Sequence, residues 1–335
     1  DEKFPQNRLP YIDEYRMLLM KEPAARVAAL RTGQIDLMGG VGDATVTSVD
    51  DLMTIQGTNP EIDVWPVYGM GTGQYQFNLA LPPTSDLEVR KALNMAVDRK
   101  TVSLTLHQGF GEPEAIGLMQ PVEGWSWPYD EWPEDVKQGY TYNPKRAEEL
   151  LDAAGYPRGA DGYRFKIMLA QHERADLSYS ELVVGYFDAI GVDSEIVVQG
   201  NPEHKADYTA PTHGFAAVTT NHGFHDVHSL VALSRLIQEV GDHSYTKVND
   251  PRLVALYERA KDSLDKEEIE SIIRQTDEIY IREYFGLAKS RIPQFIVSQP
   301  WVIGYNGEWN MGKNQRNTYL ARLWIDSELK AAMGY

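Results

Sequence analysis

Apolar positions recur at helical spacing in some stretches of this chain and at alternate positions in others, and their order lays out a succession of short strands and amphipathic helices. The stretch Phe77 to Val102 organises the rest. An apolar strand-like run, Tyr75 to Leu81, meets a Pro-Pro turn, and Asp86 opens a helix over 86–99 with Leu87, Val89, Leu93, Ala96 and Val97 as its stripe. The strand leads out of one unit and the helix into another. Upstream, the pattern predicts a strand at Tyr15 to Leu19, a helix begun by Pro23 and stopped by Gly33, and a short strand from Gln34 to Met38. A helix over Val46 to Ile55, capped by Thr45 or Thr47, and a strand over Ile62 to Tyr68 follow. The Gly69 to Gly73 run leads into a strand and not a helix, so it reads as a hinge or close backbone approach instead of a phosphate loop.

Downstream, a long loop from Gly109 to Pro133 holds Trp125, Trp127, Tyr129 and Trp132, which either pack it onto its own unit or face a ligand. Asn143-Pro144 starts a helix that Gly155 ends. Strand Phe165 to Ala170, helix Leu177 to Ile190 and strand Val192 to Val198 then form a parallel crossover by default. A strand at Ala216 to Thr220 runs into a polar turn, with Asp226 as cap of a helix over Val227 to Val240. Helices at 250–263 and 265–284 and a strand-loop-strand return over Leu287 to Val297 complete an α/β order without internal repeats.

Composition narrows the classes. The 335 residues, 42% of them hydrophobic, suffice for two domains with sizeable cores. A formal charge of −17 repels phosphate backbones, so nucleic-acid binding is not expected. There is no cysteine, which removes thiolate chemistry and Cys-ligated metals without fixing the compartment. No apolar run approaches the roughly 20 residues that span a bilayer. No GxSxG, HExxH or Walker pattern is present, and Ser229, His225 and Asp226 are neighbours in sequence without triad geometry, so no catalytic residue and no cofactor is expected.

Several spaced segments carry a resemblance. PYIDEYRMLLMKEPAARVAALRTGQIDLM, DLEVRKALNMAVDRK, NPKRAEELLDAAGYP and PWVIGYNGEWNMG are similar to segments of the family 5 solute-binding proteins, the extracytoplasmic receptors of peptide, nickel and oligosaccharide ABC importers. The resemblance implies a periplasmic-binding-protein-like α/β fold of class II, cluster C type. It implies a partial lobe I from 1–74 and 290–335, and a complete C-terminal α/β lobe over 75–289. Capture in an interlobe cleft would close by hinge movement near Gln74 to Asn78 and Gly286 to Ile292. Family members are longer, so Asp1 is expected to be a cut or cleavage point and not the natural mature start. The implied partners are a small or oligomeric solute and a membrane ABC permease, with the protein a monomer outside the cytoplasm, periplasmic or anchored on the outer membrane face.

The junction TTNHGFHDVHSL, 219–230, is where the family reads its substrate, and ligands of α/β units collect beyond the carboxyl ends of strands. Asn221, His222, Phe224, His225 and Asp226 are the expected ligand-binding residues, with Asn78 and Trp125 beside them. Peptide-binding members have a Trp, an Asp that pairs with the peptide ammonium, and an Asp-Pro helix start. Here Asp226 matches the helix-start Asp, Val227 stands for the Pro, and no acidic residue lies among Thr220 to His225. An unpaired buried ammonium costs several kcal/mol, which turns the reading towards hydroxyl-rich or amide ligands. The alternative is a nickel or metal-chelate receptor, drawn from His222, His225, His228 and Asp226, although no metal ligand set is assigned.

Overall fold

The computed structural model describes residues 8–39, 46, 48–68, 75–118, 124–173, 175, 177–210, 213–219, 230–237, 244, 246–247, 249–291, 293–308 and 318–335. In chain order the elements are α1 (Pro23–Arg31), β1 (Leu37–Met38), α2 (Val49–Thr58), β2 (Asp63–Tyr68), β3 (Tyr75–Phe77), α3 (Leu87–Met95), α4 (Arg99–His107), α5 (Glu134–Gly139), α6 (Pro144–Ala153), β4 (Phe165–His172), α7 (Leu177–Ala189), β5 (Val192–Gln199), α8 (Asn201–Thr209), β6 (Ala217–Thr219), α9 (Leu230–Ser234), α10 (Pro251–Asp262), α11 (Lys266–Arg282), β7 (Gly286–Leu287), β8 (Pro293–Ser298), β9 (Val302–Ile303), β10 (Trp324–Ile325) and α12 (Ser327–Ala332). They fall into two compact units, residues 1–69 with 293–335, and residues 70–292.

In the first unit β8 lies between β1 and β2 and pairs antiparallel with both. Val27, Leu30, Leu52, Ile55, Phe295 and Val297 close a core between this sheet and the helices α1 and α2. Ser48, and not a threonine, caps α2 by accepting the Asp51 N–H. The strand expected at Tyr15 to Leu19 does not form: Tyr15, Met17 and Leu18 are exposed, and Leu19 is 92% exposed. An extended segment becomes a strand only when a neighbour takes its ladder hydrogen bonds and a face is buried, and no described strand pairs with this one.

The second unit holds the five-stranded sheet β5-β4-β6-β3-β7. β4 runs parallel to β5 and β6, while β3 is antiparallel to β6 and β7. The apolar side of this sheet packs on α3, α6 and α7 through Val89, Leu93, Leu150, Leu151, Val183 and Phe187. Each buried aliphatic side chain of this kind stabilises the unit by about 1.5–3 kcal/mol. The helix predicted over 86–99 is divided: Asp86 caps α3, and Asp98 caps α4 by accepting the Thr101 N–H at 3.0 Å. Its stripe also sits differently. Leu87 is 37% exposed, whereas Arg90 and Asn94 are buried.

Those two polar residues are inside because backbone groups need them. Asn94 donates to the Gly286 carbonyl at 3.0 Å and accepts from the Ala288 N–H at 2.9 Å, so it extends the ladder at the edge strand β7. Arg90 donates to the carbonyls of Thr84, Ser85 and Glu283. Burial pulls its pKa down to about 10, against the opposing charge of Glu283.

The tryptophan-rich loop is packed down by the same logic. Trp125, Trp127 and Trp132 join a core with Leu233, Leu253, Ile272 and Ile281. Asp277, 0% exposed on α11, accepts the N–H of Leu118 at 2.6 Å and that of Trp127 at 2.7 Å, fastening both arms of the loop. Substitution Asp277→Ala leaves two buried donors without this acceptor and is expected to cost about 3 kcal/mol. Urea unfolding followed by tryptophan emission measures the loss; a change under about 1 kcal/mol would contradict the role.

Candidate functional site

β4 and β6 run parallel through the sheet, as do β4 and β5, and each of the three strands ends in polar residues: Gln171 and His172 on β4, Gln199 on β5, Thr219 on β6. Gly200 then turns the chain into α8, with Pro202 in its first turn, and α8 packs back on β4 and β5. This brings His204 beneath the end of β6. Its Nε2 lies 2.7 Å from the Thr219 carbonyl oxygen and its Nδ1 3.0 Å from Gln199 Oε1. The backbone N–H of His172 donates to Thr219 Oγ1 at 2.9 Å. The two imidazoles meet edge to face, with centroids 5.2 Å apart, and His172 Nε2 reaches 3.4 Å from Asn201 Oδ1. Burial pulls the His204 pKa below the usual imidazole range, the Thr219 carbonyl opposing it.

On the same strand, Gln171 donates to the Ala175 carbonyl and its Oε1 lies 3.2 Å from the Tyr75 hydroxyl, which also bonds Ser180 at 2.8 Å. Burial raises the Tyr75 pKa to about 12. Further along, Lys247 is buried and its Nζ donates to the Ala210 carbonyl at 2.5 Å. Its backbone has φ +61°, the left-handed region that side chains other than glycine rarely adopt. Burial lowers its pKa to about 8, Asp207 opposing the shift. His213 is pushed down to about 4, first by burial and then by the Lys247 charge, and its buried Nε2 has no hydrogen-bond partner among the described residues. The carboxyl ends of three strands therefore carry a connected set of polar hydrogen-bonding groups with the buried Lys247 cation nearby.

Asn221, His222, Phe224, His225 and Asp226 lie outside the described residues, in the segment that follows Thr219. The start of the helix expected at Val227 is outside them too; α9 is helical over Leu230–Ser234. Asn78 is 1% exposed, and its amide group donates to the carbonyls of His213 and Phe215 while accepting from the Ala80 N–H. It stitches the exit of β3 to the segment before β6. Trp125, 8% exposed, belongs to the aromatic core under its loop. His172, Gln199 and His204 were not singled out from the sequence. The marks were there: polar residues closing each of the three strands, and Asn201-Pro202 as a helix start directly after one.

Two concavities lie elsewhere among the described residues of this unit. One, about 430 Å3, is an open groove where Arg90, Asp250, Arg252 and Glu283 already pair with one another. The other, about 380 Å3, lies against the tryptophan loop beside Glu112, Tyr129 and Arg291. Among the described residues no group of three or more His, Cys, Asp or Glu could hold a metal ion.

The Lys247 environment has a measurable sign. A free lysine titrates near 10.4 and this one at about 8 in the folded chain, so between these values the unfolded chain binds the extra proton and stability rises with pH. The cost of burying the charge is fully present below about pH 8 and is relieved as the lysine loses its proton in both states, above about pH 10.4. Lys247→Met is expected to remove this slope and to be more stable than the parent at pH 7. Equal slopes for parent and variant in urea unfolding would contradict the burial of a shifted lysine.

Comparison with known proteins places this geometry. The chain is 25% identical over 309 residues to heme-binding protein A of Haemophilus influenzae, covering 91% of this chain and 53% of that protein. It is 25% identical over 190 residues to the dipeptide-binding protein of Escherichia coli K12, covering 56% of this chain and 32% of the other. Its fold matches NikA from Brucella suis in complex with Fe(III)-EDTA with a TM-score of 0.72 at 21% identity, over 92% of this chain and 61% of that one. DppA from Helicobacter pylori in complex with the peptide STSA gives a TM-score of 0.65 at 18% identity, over 92% and 56%. The fold is thus the α/β fold of periplasmic binding proteins. The chain spans about half the length of the Haemophilus protein. The profile described as bacterial extracellular solute-binding proteins, family 5 middle, matches residues 2–235, and the chain belongs to that family.

Proposed function

We propose that the chain acts in the substrate-binding component of an ABC importer, capturing a small peptide-like or oligosaccharide solute outside the cytoplasm and delivering it to a membrane permease with no bond made or broken. The observation that carries this reading is the family match over residues 2–235, which runs through the strand β6 and into the segment 220–229. The relatives named for dipeptides, glutathione and heme support solutes of that size. Among the described residues no helix is long and apolar enough to cross a membrane, which suits a receptor that meets its permease at the surface.

The residues expected to read the solute are Asn221, His222, Phe224, His225 and Asp226, which follow β6 in the sequence. Amides and imidazoles recognise amide and hydroxyl groups, and an aromatic face takes a sugar ring or an apolar side chain. No carboxylate stands among Thr220 to His225 to pair with a buried ammonium, so the preferred solute has no free amino end held at this place. The 1–74 and 290–335 segments would form one lobe and 75–289 the other, the protein working as a monomer.

Native mass spectrometry of the full-length protein as purified tests the reading. A bound peptide-like or oligosaccharide mass is expected. Saturation with the recovered compound at about a hundred times its Kd should add about 2.7 kcal/mol to stability, read as a rise in Tm. Binding of a nickel ion or metal chelate alone, or conversion of the compound into a product, would overturn it.

A further inference from the structure

The hydrogen bonds around His204 have a direction that its neutral form cannot satisfy. Gln199 Nε2 donates to the Asp207 carboxylate, which turns the Gln199 carbonyl oxygen towards His204. His204 Nδ1 therefore faces an oxygen 3.0 Å away, and Nε2 faces the Thr219 carbonyl oxygen at 2.7 Å. Neither oxygen has a proton to give. A neutral imidazole has one N–H and so satisfies one of the two contacts, whereas an imidazolium has two and satisfies both. Reversing the Gln199 amide would set its oxygen against the Asp207 carboxylate.

We propose that His204 is a proton-linked positioning residue: as an imidazolium it joins Asp207, Gln199 and the Thr219 carbonyl in one relay that fixes the carboxyl end of β6 to α8 and β5, and as a neutral imidazole it keeps the Thr219 bond and releases Gln199. The shorter Thr219 contact decides which bond remains. From α8, Asp207 favours the proton through the Gln199 amide. From β4, the His172 ring in edge contact opposes it whenever His172 is itself charged. His213 lies in the same electrostatic neighbourhood, and its own charge and that of His204 oppose one another. Burial opposes it as well, so the relay closes in mildly acidic solution, below the ordinary imidazole range, and opens as pH rises through the His204 midpoint.

The functional consequence rests on the reading of 220–229 as the solute-contacting segment. Thr219 is the residue from which that segment departs, so the proton on His204 sets how firmly its base is held. The relay itself is open to observation without any solute, and failure of the solute reading would leave that result standing.

The test is a pH titration of the chain labelled with 15N-histidine, following the ring nitrogens of His204 by long-range 1H–15N correlation. His172→Gln and His213→Gln variants supply the assignments. Both His204 nitrogens are expected to be protonated on the acid side, with a midpoint below about 6.5. Asp207→Asn should lower that midpoint by about half a unit to one unit, and Gln199→Glu, which places a carboxylate against Nδ1, should raise it by one unit or more. Amide exchange at residues 217–219, corrected for its intrinsic pH dependence, should slow several-fold in the acid form of the parent and not in Gln199→Leu. A His204 that stays a single neutral tautomer through the titration, or titrates with no response to Asp207→Asn and Gln199→Glu in variants whose circular dichroism matches the parent, would overturn the proposal.

Discussion

A buried strand that stops must hand its last backbone groups to something other than a neighbouring strand, and in the second unit this requirement shapes the candidate site. β4, β5 and β6 end in polar residues, where the parallel ladder no longer continues. Thr219 Oγ1 takes the His172 N–H, and His204 takes the Thr219 carbonyl. The side chains that perform these tasks are polar and fixed in place by one another. A place built to satisfy strand ends in this way already has the chemistry needed to hold a polar, uncharged ligand group.

The same requirement is met elsewhere by helices reaching out to irregular backbone. Asn94 continues the ladder at β7, Arg90 collects three carbonyls, and Asp277 holds both arms of the tryptophan loop. Each is a buried polar residue on a helix whose buried face is otherwise mostly apolar. Replacing any of them by a hydrophobe of similar size would leave backbone groups unsatisfied at about 1–3 kcal/mol each. These contacts hold the described parts of the 109–133 loop and the edge of the sheet to one body.

Much of the fold is legible in the sequence because spacing and caps agree there. Asn143-Pro144 to Gly155 and the Phe165 to Val198 crossover emerge near their predicted places because periodicity, N-cap and terminating glycine all point the same way. The Tyr15 to Leu19 strand failed because apolar content cannot say whether a pairing partner exists. The stripe of α3 was misdrawn because Arg90 and Asn94 look like surface residues until the backbone groups they serve are known. His204 was overlooked for a similar reason: its role depends on a carbonyl fifteen residues away, at Thr219. Resemblance to a family points to the 219–230 junction as the place to expect a solute, residues 220–229 lie outside the described residues, and chemistry alone suggests what they would bind.

The central claim is that the solute is read from the end of β6. A crystal structure of the full-length protein with the compound it carries tests this most directly. Polar contacts from residues within Asn221 to Asp226 are expected, with His172 and His204 bonded to Thr219. A bound solute with no contact to that segment, and no atom near the carboxyl ends of β4, β5 and β6, would contradict it.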